Sequence, residues 1–507
     1  MSDVVEAARS ARTNTKTVQE YIDELPTWSD GTSLKSAPMT AMQWRIWGLA
    51  AAGKFFEGFV VFMTGVALPL IVREFHIGAA QKGIVSAASL FGILLGAILL
   101  GGLSDYFGRK RMFIAEMILF CAFLALLILC TNFLSLAICL FGLGMALGCD
   151  YPTAHMIISE SIPSASRGKL VLGAFGFQAL GALGGTGVGC LVLVLVPSLD
   201  AWRWMFATAL APALIVTIGR FFIPESANWL AVRGAHDKAE HAVRRLLHRE
   251  PQYPQNIALH RKAAEVADET RANPSFMALF NRRNRRATIF ASVPWFIQDL
   301  GTYGIGIFTP TILAAAFGGG ADHIRSLSDM ISDDILAAKG AAMINVLLIV
   351  GIFFAVVLAD ITGRIKLQIL GFIGCAVGLL IASFSIDFSG AARIDIIFVG
   401  FMLFSFMTNL GPNAQTYLLA GEVFPTAIRG KGAGFAAAFA KIGAVATAFL
   451  FPILLVSIGT RWLLYGLIGA SLLGAAVTSW FRIETTGVDL DHIGEAAEEP
   501  AASKAAA

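Results

Sequence analysis

The sequence predicts an all-α membrane protein with twelve spanning helices in two groups of six. Three observations carry that prediction. Of the 507 residues, 56% are hydrophobic and only 14% are charged, whereas a soluble domain carries roughly 25% charged residues. The apolar residues come in continuous runs of about 20, the length that crosses a bilayer as a helix. The short alternating segments of a membrane β-barrel are absent. These runs fall into two sets on either side of one long polar segment, and motifs of the first set recur in the second. The net charge of +3 averages loops of very different character and excludes little.

Taken in order, residues 1–44 are polar and mixed in charge, with no signal-peptide core or cleavage site, and read as a soluble N-terminal tail. Apolar runs place spans near 46–73, 84–104, 112–131, 134–157, 169–195 and 203–222, which gives a first six-helix group over 45–222. The segment 223–286 is hydrophilic, with helix-like polar runs at 237–249 and 260–271. It ends in the basic cluster Asn281-Arg-Arg-Asn-Arg-Arg286, which reads as juxtamembrane arginines meeting anionic headgroups rather than as a nucleic-acid site. Spans near 287–316, 340–361, 366–386, 394–419, 431–456 and 461–481 form the second group, over 287–482, and residues 483–507 are a second tail.

Lys/Arg clusters at Arg109-Lys110-Arg111, at Arg167/Lys169, in the central segment, at Arg364/Lys366 and at Arg429/Lys431 fall on alternate connections. The positive-inside bias therefore predicts that both tails and the central segment are cytoplasmic. All six cysteines lie in apolar runs, with no Cys-x-x-Cys pair and no Cys/His cluster. They read as buried thiols, and neither a metal nor a cofactor is expected.

The two halves repeat. Gly102-Leu-Ser-Asp105-Tyr-Phe-Gly108-Arg109-Lys-Arg111 recurs as Leu358-Ala-Asp360-Ile-Thr-Gly363-Arg364-Ile-Lys366, and Glu160…Arg167 recurs as Glu422…Arg429 with the same seven-residue spacing. Duplicated halves are a mark of transporters built on pseudo-symmetric bundles, which bind substrate near the midplane between the repeats.

Charges inside the spans point to that site. A charge at the centre of a spanning helix costs about 2.5–3.5 kcal/mol on insertion scales, so it faces a cavity or a partner. Glu57 and Asp150 in the first half, and Asp299 and Lys441 in the second, meet that description, with His155 near the end of the fourth span. Trp295, Asp299 and Tyr303 are four apart, so on a helix they share one face. Lys441 offers a point charge with three donors for an anion. Asp299, Asp150 and Glu57 are candidates to carry protons, since a low-dielectric pocket favours a neutral carboxyl. A structural Lys441–Asp299 ion pair is the plainer alternative. Gly181-x-x-Gly184-Gly185-x-Gly187-x-Gly189 reads as a close helix-packing stripe rather than a phosphate loop.

These motifs resemble the major facilitator superfamily over nearly the whole chain, which implies that superfamily's fold. Ser159-Glu160…Arg167-Gly168, Pro224-Glu225-Ser226-x-x-Trp229-Leu230, Glu422-x-Phe424-Pro425-Thr426-x-x-Arg429 and Glu484-Thr485-Thr486-Gly487 resemble its sugar-porter-related branch. In that branch the charged loops latch the two bundles in one conformation. The resemblance implies that role for Asp105, Gly108, Arg109, Arg111, Glu160, Arg167, Asp360, Arg364, Glu422 and Arg429.

A finer resemblance is to the phosphate:proton symporters. It rests on Gly148-Cys149-Asp150-Tyr151-Pro152, Trp295-x-x-x-Asp299-x-x-x-Tyr303, Asn409-x-Gly411-Pro412-Asn413 and Ala440-Lys441-Ile442-Gly443-Ala444, with Gln178 on the fifth span. It implies Tyr151, Gln178, Trp295, Asp299, Tyr303, Asn413 and Lys441 as substrate-binding residues. Two positions depart from that family. Val60 stands where a second acid follows Glu57, and Gly432-Ala433-Gly434-Phe435 replaces a His-Gly-Ile-Ser run.

The expected function is proton-coupled symport of a small anion, inorganic phosphate, across a bilayer. An organic or aromatic acid, a sugar or a polyol is the alternative substrate, and a nutrient receptor of the same fold is a remote one. No nucleophile–base pair supports an enzyme. The resemblance implies a monomer, and the compact tails without a transit peptide favour a bacterial inner membrane.

Overall fold

The computed structural model describes residues 16–25, 37–100, 103–248, 257, 259, 276–317, 327–425 and 428–483. The run 260–271, the motif 484–487 and the rest of both tails lie outside these residues. For Asp105, Tyr151, Asp360 and Arg429 the backbone alone is described.

Among the described residues, twelve long helices carry the fold. The first group is α1 (Ala41–Phe75), α2 (Ala79–Leu99), α3 (Arg109–Ile128), α4 (Phe133–Ser161), α5 (Ser164–Leu195) and α6 (Ala201–Phe221). The second is α7 (Arg285–Phe317), α8 (Leu327–Thr362), α9 (Arg364–Phe384), α10 (Gly390–Ala420), α11 (Arg429–Ser457) and α12 (Gly459–Phe481). Among the described residues, eleven helices are long and apolar enough to cross a membrane. The twelfth long helix is α7, whose apolar character is diluted by Gln298, Asp299, Thr302 and Tyr303, all of them buried inside the protein.

Several boundaries move from the sequence expectation, each for a local reason. Helix α1 starts at Ala41 because Thr40 and Gln43 form a reciprocal capping box ahead of the apolar run. Helix α8 is already formed at Leu327, well before residue 340, with Asp329 in its first described turn. The second span ends at Leu99, and the short helix Leu103–Phe107 follows separately. Helix α10 breaks at Gly411, which has a non-helical backbone, and resumes at Pro412.

The repeat seen in sequence returns as packing. Helix α1 lies along α5 as α7 lies along α11, and α2 lies along α4 as α8 lies along α10. Helix α3 contacts α4 and α6 as α9 contacts α10 and α12. Between the groups, α1 meets α7, α2 meets α11 and α5 meets α8. Exchanging the groups maps each of these pairs onto another pair or onto itself, the signature of a pseudo-two-fold axis. The repeated loops share one constraint, because Gly108 and Gly363 precede α3 and α9 with φ of 102° and 91°. That left-handed backbone favours glycine.

The glycine stripe of α5 serves contact between helices. A Cβ on Gly181 would stand 2.0 Å from the Phe55 carbonyl oxygen of α1. The end of the bundle that carries the tails is covered by a small core of its own. The helix Val18–Asp23 packs there with the helix His236–Leu246, the start of α1 and the end of α4. At the opposite end the two groups close main chain to main chain. Cβ atoms on Gly65 and Gly83 would each stand 2.4 Å from carbonyl oxygens of the other group, those of Ile307 and Phe449.

Candidate functional site

Between these two ends, α1, α5, α7 and α11 bring a set of charges together at the group interface. Glu57 of α1 is the hub. Lys54, one turn earlier on the same helix, places Nζ 2.8 Å from Glu57 Oε2. On the other carboxylate oxygen, Tyr303 of α7 donates its hydroxyl at 3.0 Å, and Gln178 of α5 donates Nε2 at 3.3 Å. Lys441 of α11 stands 3.4 Å from the same Oε1.

The Tyr303 hydroxyl in turn accepts from Gln178 Nε2 at 2.9 Å and from Lys441 Nζ at 2.8 Å. Lys441 Nζ lies 3.1 Å from Asp299 Oδ2 in an ion pair, and this buried oxygen has lone-pair capacity for a further hydrogen bond. Lys54, Glu57, Asp299 and Lys441 are each at most 6% exposed. Removing an ion from water costs several kcal/mol, which only close pairing offsets. Two cations against two anions meet that demand with no net charge.

Aromatic rings cover this cluster on the side of the tails. Trp295, one turn before Asp299, sets its ring edge-to-face with Tyr417 of α10 at 6.0 Å. Tyr417 stacks on Phe175 of α5 at 4.6 Å, and the His155 ring is 6.1 Å away. On the other side of the cluster, Phe308 of α7 stacks on Phe451 of α11 at 4.6 Å.

The structure sorts the expected residues. It brings Glu57, Gln178, Asp299, Tyr303 and Lys441 into contact, and it puts Trp295 one turn away. Asn413 instead donates to Asn409 Oδ1 at 2.6 Å, within α10. Asp150 belongs to a second charged group inside the first six helices. There, Arg220 of α6 reaches Asp150 Oδ1 and Glu116 Oε1 of α3, both at 2.7 Å, and lies over the Phe113 ring. Gly53 of α1 makes room for that carboxylate, because a Cβ there would fall 1.8 Å from Asp150 Oδ2. The side chain of Tyr151 lies outside the described residues.

Reading the sequence missed Lys54, Glu116, Arg220 and Tyr417. The first three carried a usable signal, since each is a charge inside an apolar run. Tyr417 carried none, as aromatics are common in spans.

The expected latch residues pair within each group. Arg109 contacts Glu160 at 3.4 Å, and Glu160 also accepts from Ser226. Gly108 lies against Glu225, whose carboxylate accepts from the Lys110 backbone N–H at 2.9 Å. Arg364 pairs with Glu422 in the second group. Arg167 bonds Ser164 at the start of α5, and Arg111 is exposed. The side chains of Asp105, Asp360 and Arg429 lie outside the described residues.

The sequence model of the family described as "Sugar (and other) transporter" matches residues 48–497. The chain belongs to this family. It is 29% identical over 473 residues to the inner membrane metabolite transport protein YgcS of Escherichia coli, covering 90% of this chain and 95% of that protein. It is 28% identical over 512 residues to the "Probable inorganic phosphate transporter 1-6" of Arabidopsis thaliana, covering 91% and 96%. Among solved structures, the proton:xylose symporter XylE, a major facilitator protein, superposes with a TM-score of 0.69 at 21% identity, covering 90% of this chain and 99% of that one. The fold is that of the major facilitator superfamily, and the protein is a multi-pass membrane transporter, not an enzyme.

Proposed function

We propose that this transporter is a symporter that carries a small anion, inorganic phosphate, together with protons by alternating access. The observation that supports it best is the contact of Lys441 and Tyr303 from the second group with Glu57 and Gln178 from the first. A site made from both groups can be exposed to either side as one group rocks against the other. Lys441 is the anion contact, Tyr303 and Gln178 supply neutral hydrogen-bonding groups, and Trp295, Tyr151 and Asn413 complete the substrate-binding set.

Glu57, Asp299 and Asp150 are the proton carriers in this reading. A carboxylate that holds Lys441 competes with an anion for it, and protonation removes the competitor. The buried Asp299 Oδ2, with hydrogen-bonding capacity to spare, suits such an exchange. Asp105, Asp360 and the charged pairs Arg109–Glu160 and Arg364–Glu422 act at the tail end as the latch, with Arg111, Arg167 and Arg429. The tails face the cytoplasm, and the protein acts as a monomer in a cell membrane, as the inner membrane location in the name of its Escherichia coli relative suggests. The phosphate transporter among the relatives favours the anion.

A second reading, a sugar or an organic acid as cargo, is favoured by the Trp295–Tyr417–Phe175 ring cluster, which suits a carbon skeleton. Radiolabelled phosphate uptake by proteoliposomes under an imposed proton gradient tests the proposal. Gradient-dependent accumulation, competed by excess unlabelled phosphate and not by sugars or carboxylic acids, is expected. Absence of accumulation, or competition by a sugar instead, overturns it.

A further inference from the structure

We infer that Lys54 is a substrate-binding residue, and that Lys54 and Lys441 together clamp one tetrahedral oxyanion, a phosphate or a phosphate monoester, in the place held by the Glu57 carboxylate. The inference rests on the anion symport proposed above and adds a residue and a substrate chemistry to it.

The geometry is that of one carboxylate gripped by two ammonium groups. Lys54 takes Oε2 at 2.8 Å, and Lys441 stands 3.4 Å from Oε1. The two lysines come from opposite six-helix groups, α1 and α11. Since they already share the two oxygens of one small carboxylate, a second small oxyanion can bridge them at similar separations. A tetrahedral oxyanion presents such a pair of oxygens on every edge. A neutral sugar hydroxyl cannot supply the negative charge that a carboxylate places between two cations.

Glu57 is thereby an internal stand-in for the substrate. While ionised, it occupies both lysines. When it takes a proton, its negative charge is gone, and the proton stays on the carboxyl as an O–H that can donate toward the incoming anion. Lys54 then loses the anionic partner on its own helix, and Lys441 keeps only Asp299. The arriving oxyanion restores the pairing and ties α1 to α11 through a single ligand. No bond forms or breaks apart from the proton transfer to Glu57.

The plainer role for Lys54 is to neutralise Glu57, and a double-mutant cycle separates the two. Binding of inorganic phosphate and of glycerol phosphate to the full-length purified chain would be measured for the wild type, Glu57→Gln, Lys54→Gln, Lys54→Gln/Glu57→Gln and Lys54→Arg. Glu57→Gln imitates the protonated carboxyl and should bind phosphate at least as tightly as the wild type. The double variant should bind on the order of 10-fold or more weakly than Glu57→Gln, the loss expected for one charged hydrogen bond. Lys54→Arg should recover part of that affinity.

A neutralising role predicts that the double variant binds as Glu57→Gln does, and that result overturns the inference while leaving phosphate symport intact. A wild type that binds neither compound removes the anion reading itself. Binding of phosphate alone identifies the free ion as the ligand, and equal binding of the ester extends the site to monoesters.

Discussion

The hydroxyl of Tyr303 donates a 3.0 Å hydrogen bond to the carboxylate of Glu57, and that bond joins α7 to α1 across the interface of the two six-helix groups. The same hydroxyl accepts from Lys441 and Gln178, so one phenol oxygen touches four helices' worth of the site. Replacing Tyr303 by Phe keeps the ring and removes every one of these bonds. Hydrogen bonds to charged groups contribute about 1.5–3 kcal/mol each. Tyr303→Phe should therefore lower kcat/KM for uptake on the order of 10- to 100-fold while the protein still folds. Initial rates in proteoliposomes, with reconstituted protein quantified, would check this, and an unchanged kcat/KM would remove Tyr303 from the site.

Asp150 is held by Arg220 and backed by Gly53, so an isosteric change is the fair one. Asp150→Asn keeps the size and removes the carboxylate. Accumulation against a concentration gradient should be lost, while exchange of labelled for unlabelled substrate at equal concentrations persists. Wild-type accumulation with wild-type pH dependence would take Asp150 out of the coupling.

Arg220 is the cation that the charged group inside the first six helices offers to both Glu116 and Asp150. Arg220→Met leaves these two buried carboxylates without it, and breaking a buried pair in this way costs about 3–5 kcal/mol. Thermal melts of the purified protein should show Arg220→Met well below the wild type, with Arg220→Lys, which restores a cation, recovering part of the loss. Equal melts for the two variants would mean that lost packing on Phe113, not charge, sets the cost.

Gly65 lets α1 meet the Ile307 carbonyl at the end opposite the tails. A Val there cannot fit without driving the groups apart, so Gly65→Val should hold this end open. Uptake should fall by at least about 10-fold as closure is lost, since each working cycle requires it. An impermeant maleimide added on that side should label a cysteine placed at Phe62 faster than in the parent. Unchanged labelling would show that the helices absorb the extra methyl groups elsewhere.

The sequence was most informative where an energetic rule is unconditional. Charges in apolar runs are costly wherever the run packs, so Glu57, Asp150, Asp299 and Lys441 stood out before any contact was known. Lys54, Glu116 and Arg220 obey the same rule. Glu116 and Arg220 lie near the ends of their runs, where a charge reads equally well as a membrane-edge residue until burial is known, whereas Lys54, three residues before Glu57, was as legible as that acid. The repeat was legible too, because Gly108 and Gly363 need the same left-handed backbone in both halves.

The sequence by itself determined the spans, the duplication and the identity of several of the buried charges, since each follows from local composition and the cost of leaving water. Only the tertiary structure decided who pairs with whom. Asp150 and Glu57 look alike in sequence, one acid in each of two apolar helices of the first group. Their partners arrive from remote parts of the chain: Arg220 on α6 draws Asp150 into the first group, whereas Tyr303 and Lys441 on α7 and α11 meet Glu57 at the interface. Pairing depends on which helix faces cross. No stretch of sequence states that, because it emerges from the packing of all twelve helices together.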